Sequence, residues 1–62
     1  MGSYVVLVVE DEAIVGLEMS KILSEEGYEV PPVVMSSDDL IRNVVQYKPD
    51  LILSDIRLKG VL

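Results

Sequence analysis

Two short apolar runs, each closed by carboxylates, limit what this chain can fold into more than any other feature. The first is Val5-Val6-Leu7-Val8-Val9, followed at once by Glu10-Asp11-Glu12. The second is Leu51-Ile52-Leu53, led in by Pro49-Asp50 and followed by Ser54 and Asp55. Neither run alternates between apolar and polar residues. A continuous run of this length, bounded by turn signals, suits a strand buried on both faces, as in a parallel sheet. In open parallel α/β sheets, ligands bind outside the carboxyl ends of the strands. Aspartate also favours turns for its own reasons, so one acidic stretch says little. Two buried strands that both end in carboxylate predict one shared acidic cleft.

Between the runs the pattern is helical. A first helix is predicted from Glu12 or Ala13 to about Glu26, with Val15, Met19, Ile22 and Leu23 on one face. Asp11 stands where it would cap the first turn, and Gly27 where a glycine ends a helix. Gly16, inside that helix, costs about 1 kcal/mol relative to alanine. Tyr28 to Val34 reads as a second strand, interrupted by Pro31-Pro32. Proline donates no ladder hydrogen bond, so this strand belongs at an edge or is short. Ser36 with Asp39 resembles a capping box and opens a second helix, which runs to about Tyr47. Its inward residues are expected to be Leu40, Ile41 and Val44, with Val45 at the margin. Pro49 prevents its continuation.

The order is therefore β-α-β-α-β. Right-handed crossovers put the first strand between the second and third, giving spatial order 2-1-3 with helices over the sheet. Sixty-two residues allow one small domain, and a core of that size is marginal without a staple or a partner.

Composition removes several classes of function. The chain has no cysteine and no histidine, which excludes disulfides, thiolate zinc sites and imidazole catalysis. The absence of disulfides fits a reducing, cytoplasmic setting. A net charge of −6 repels phosphate backbones, so direct nucleic-acid binding is not expected. The N-terminal apolar run is too short to span a bilayer and lacks a basic flank, so no membrane segment or signal peptide is expected. What remains is carboxylate chemistry. Glu10, Asp11 and Asp55 in one cleft would repel one another and should hold a hard divalent cation. Mg²⁺ (or Mn²⁺) takes such oxygen ligands and keeps several waters. A solvated acidic rim without a metal is the plainer alternative. An aspartate at such a site can serve as a nucleophile toward phosphorus.

Three stretches carry a resemblance: Val-Leu-Val-Val-Glu-Asp-Glu at positions 6–12, Glu26-Gly27-Tyr28-Glu29-Val30, and Lys48-Pro49-Asp50-Leu51-Ile52-Leu53-Ser54-Asp55-Ile56-Arg57-Leu58. In this order they resemble the first half of a two-component response-regulator receiver domain. The resemblance implies a flavodoxin-like α/β fold with a parallel sheet, truncated here to its first three strands and two helices. It implies that Asp55 accepts a phosphoryl group from a histidine kinase or phosphotransfer protein. It further implies that Asp11 binds Mg²⁺ directly, Glu10 mainly through water, and Arg57 by its main-chain carbonyl. Such a domain is a signalling receiver that catalyses its own phosphorylation, not a conventional enzyme.

Two departures matter. Lys59 stands where many members have proline. More seriously, the family fold has five strands in order 2-1-3-4-5. The Ser/Thr of the fourth strand and the Lys of the fifth, both of which contact the phosphoryl group, have no counterpart in these 62 residues. The chain is therefore expected to be a partial receiver with impaired transfer. Two rival readings stay open: an inert, self-associating fragment, and a metal-dependent phosphatase of the haloacid dehalogenase type. The phosphatase would usually carry a second aspartate two residues after the nucleophile, and that position is Arg57.

Two surfaces complete the expectations. Ile14 and Leu17 lie away from the inward stripe of the first helix, where they are either scattered surface apolars or a docking patch for a partner helix. The outer edge of the third strand, at Leu51, Ile52 and Leu53, is an unpaired ladder, which predicts self-association. A two-fold dimer with that strand antiparallel to its copy is the expected form.

Overall fold

The computed structural model describes residues 4–54. Four elements form in the order β1 (Val6–Val9), α1 (Ala13–Glu25), α2 (Ser37–Tyr47) and β2 (Leu51–Ser54). β1 and β2 run parallel, with Val6 opposite Leu51, Leu7 opposite Ile52, Val8 opposite Leu53 and Val9 opposite Ser54. This is an α/β fold with parallel strands, as the two apolar runs predict.

Asp50 fixes that register. Its carboxylate accepts the Val5 N–H at 2.8 Å, and its own N–H donates to the Val5 carbonyl at 2.8 Å. The start of β2 is thereby clipped to the start of β1.

The expected second strand is reduced to two parallel bridges to the other side of β1, Val5 with Glu29 and Val9 with Val34. Glu29 exchanges bonds with Tyr4 and Val6, and Val34 with Val8 and Glu10, all at 2.9 Å. Pro31 and Pro32 fall between the two bridges, where their missing N–H groups interrupt a ladder.

β1 is the centre of the core. Val6 is 2% exposed and Leu7, Val8 and Val9 are fully buried. Successive strand residues face opposite sides. Leu7 and Val9 cluster with Val34, and Leu40 and Val44 of α2 pack against them.

The helix termini follow local rules. Ser36 caps α2, its hydroxyl accepting the Asp39 N–H at 3.3 Å. The Asp39 carboxylate pairs with Arg42 instead of closing the capping box. At the end of α1, the Gly27 N–H donates to Ser24 and the Tyr28 N–H to Leu23, with Gly27 at φ +99°. This is a Schellman ending, and glycine takes that φ without a Cβ penalty. α2 ends on Lys48 at φ 50°, a left-handed residue just before Pro49.

Three expectations about the helices are corrected. The N-cap of α1 is Glu12, not Asp11, and its side chain makes no capping bond. Ile22 is 60% exposed, because the buried residue of α1 is Gly16 and the contact face is turned toward it. Ile41 is 68% exposed, since Leu40 and Val44 take the inward positions of α2.

Candidate functional site: the acidic end of β1

The fold carries Glu10 and Asp11 to the carboxyl end of β1. Glu10 directly follows β1 and is 2% exposed, although its side chain ends in a carboxyl group. Its backbone N–H donates to Val34, which fixes its place beside the strand end. Its carboxylate Oε1 accepts the Glu12 N–H at 3.2 Å, across the turn that starts α1. Asp11, the next residue, is exposed. One acid is thus held in the protein and its neighbour faces solvent.

Asp55 and Arg57, the other two residues expected in this cleft, lie outside the described residues. Among the described residues, no three acidic side chains are grouped closely enough to hold a metal ion. The donor set present is two adjacent carboxylates, Glu10 and Asp11. That chemistry fits Mg²⁺, which is bound through one or two carboxylates and completes its shell with water.

Ile14 and Leu17, on the first turns of α1 beside the acidic turn, are 74% and 64% exposed. Toward the opposite end of the strands, Tyr4, Val6, Leu23, Tyr28, Asp50, Leu51 and Leu53 line a mostly apolar hollow of about 370 Å³.

Sequence reasoning missed two contributors. One is the Glu12 N–H, a backbone group that no residue pattern advertises. The other is Asp50, whose clip on Val5 was readable in principle as an acid between a proline and an apolar strand.

Comparison with known proteins decides the family. Residues 6–62 match the response regulator receiver domain. This chain belongs to that family. The haloacid dehalogenase alternative gives way to this assignment. Among relatives, the transcriptional regulatory protein PdtaR of Mycobacterium tuberculosis is 32% identical over 53 residues, covering 86% of this chain and 26% of the relative. The uncharacterized transcriptional regulatory protein YbdJ of Bacillus subtilis is 40% identical over 60 residues, covering 97% of this chain and 26% of the relative. The chain therefore spans about a quarter of the length of the curated relatives it matches. No solved structure matches it.

Proposed function

We propose that this receiver segment is the phospho-accepting part of a two-component phosphorelay, with Asp55 as the acceptor. The observation that carries the reading is the strand register. Val9 and Ser54 are partners in parallel strands, and Glu10 and Asp55 are the next residues of the two strands in sequence. The family match over residues 6–62 spans both.

In this reading a carboxylate oxygen of Asp55 attacks the phosphorus of a phosphohistidine on a histidine kinase or phosphotransfer protein. The P–N bond breaks, its electron pair stays on the imidazole nitrogen, and an aspartyl phosphate forms. Glu10, Asp11, Asp55 and the main-chain carbonyl of Arg57 would hold Mg²⁺ or Mn²⁺, which supplies positive charge to the phosphoryl oxygens. Glu10 accepts the Glu12 N–H across the turn, which supports its place in the site. Ile14 and Leu17 are the residues proposed to meet the partner's helices, next to the acidic turn. The segment carries a net charge of −6, which argues against direct contact with nucleic acid. No helix among the described residues is long and apolar enough to cross a membrane, and a cytoplasmic setting is proposed.

The test is phosphorylation of the chain by a small phosphodonor with Mg²⁺, read by intact mass. The expected result is a single phosphoryl adduct that is absent in Asp55→Asn. A chain that takes no phosphoryl group but binds beryllofluoride with Mg²⁺ keeps the site and loses the transfer. A chain that does neither overturns the reading.

A second reading, favoured by the exposure of β2, is self-association. Leu51, Ile52 and Leu53 are 57%, 43% and 38% exposed, and β1 is the strand neighbour of β2 among the described residues. An exposed apolar strand is a template for another chain.

A further inference from the structure

The buried residue of α1 is the one without a side chain. Gly16 has no left-handed φ to explain it; among the described residues that conformation belongs to Gly27 and Lys48. Space explains it instead. A Cβ at position 16 would stand 2.7 Å from Val33 Cγ1, 3.5 Å from Val33 Cγ2 and 3.4 Å from Glu10 Cβ. Carbon atoms in good contact are about 3.5–4.0 Å apart, so the first of these is a clash.

Val33 is poorly placed to yield. Both of its methyl groups border the notch, at 2.7 Å and 3.5 Å from the added Cβ. Pro32 before it has a fixed φ. Val34 after it is bonded on both sides to β1, donating to Val8 and accepting from Glu10. The first turn of α1 is held more lightly. Glu12, its N-cap, makes no side-chain capping bond, and the Glu12 N–H reaches Glu10 at a comparatively long 3.2 Å.

We propose that Gly16 is a positioning residue for the acidic pair. The notch it leaves accepts Val33 and lets α1 sit against the Glu10 Cβ. That seating sets the Glu12 N–H against the Glu10 carboxylate and so aims Glu10 and Asp11 at a shared divalent cation. A side chain at position 16 pushes the first turn of α1 away from the strand end, lengthens the Glu12 bond to Glu10 and shifts the acidic turn. The inference rests on the reading of Glu10 and Asp11 as cation ligands, and goes beyond it by naming what holds them.

The experiment compares the full chain with Gly16→Ala, Val33→Ala and the double variant. Free Mn²⁺ is counted by electron paramagnetic resonance during titration. The Glu12 amide is followed in ¹H–¹⁵N spectra, at a temperature where circular dichroism shows each protein folded. Gly16→Ala should weaken Mn²⁺ binding about tenfold, the usual scale for losing a group that orients a metal ligand. It should also shift the Glu12 amide proton upfield. Val33→Ala should match the parent, and the double variant should recover both affinity and shift, because the clashing methyls are gone. A merely structural glycine would lower the melting temperature and leave affinity and the Glu12 amide unchanged, which would overturn the proposal. A folded double variant that stays tenfold weak would overturn it as well. If Gly16→Ala does not fold, Val33→Ile presses on the same notch from the other side and replaces it, with the same two outcomes. A parent chain that binds no Mn²⁺ sinks the cation reading, and the Glu12 amide then decides whether Gly16 seats the turn.

Discussion

β1 and β2 are each four residues long, uncharged, mostly aliphatic, and paired one to one. One is the most buried part of the molecule and the other is exposed throughout. The difference lies in their neighbours. β1 has β2 on one side, the Glu29 and Val34 bridges on the other, and helix contacts besides. β2 has β1 alone as a strand neighbour among the described residues. A continuous apolar run thus reports what cover a strand is suited to, and its place in the sheet decides what cover it receives.

The sharpest way to break this comparison is to cut the same side chain from both strands. Leu7→Ala should cost about 2–5 kcal/mol, the range for a buried leucine. Leu53→Ala should cost less than about 1 kcal/mol, because much of its surface already meets water. Urea unfolding of the two variants measures both; equal losses would mean that β2 is covered in solution. Sedimentation velocity asks what covers it. The parent chain should sediment faster with rising concentration, and Leu53→Lys should suppress that while keeping the circular dichroism of the parent. A folded parent monomer at high concentration would remove the self-association reading.

The helices supply smaller contrasts. Gly27→Ala forces an L-residue to φ +99°, and should cost about 1–2 kcal/mol without changing Mn²⁺ affinity. Gly16→Ala, by contrast, should change that affinity, so thermal melts and titrations of the pair separate a glycine kept for φ from one kept for space. Ile14→Glu should move stability by no more than about 0.5 kcal/mol, as surface changes do. It should slow phosphotransfer from a kinase, and an unchanged rate would leave Ile14 an ordinary surface residue.

How much of this the residues announced depends on which signal each feature uses. The two strands, both helices, the Ser36 cap and the Gly27 ending were legible because each rests on local chemistry within a few residues. The inward faces were legible only in part: Leu40 and Val44 pack on the core as expected, while Ile22 and Ile41 are exposed. A stripe of Val15, Met19, Ile22 and Leu23 looks like a core face by hydrophobicity, yet the closest approach of α1 is made where there is no side chain at all. Ile41 misled in the same way beside Leu40 and Val44. The second strand was legible as a place and as an interrupted one, since Pro31 and Pro32 carry that message themselves. At the acidic end, Glu10 and Asp11 were readable from their position after an apolar run. The Glu12 N–H that fixes Glu10 was not, because every residue but proline has one.

The pairing of Val6 with Leu51 has a consequence in time. The clip between Val5 and Asp50 joins residues 45 apart in the chain. α1 and α2 close through contacts a few residues away, whereas β1 cannot gain its parallel partner until the far end of the segment exists. At about 5–20 residues per second of synthesis, that leaves the most apolar strand waiting roughly 2–9 s. A nascent chain would spend that interval with Val5 to Val9 open to any passing strand edge. The side of β1 that faces β2 is therefore satisfied later than the side bridged by Glu29 and Val34, and a chaperone has its clearest task there.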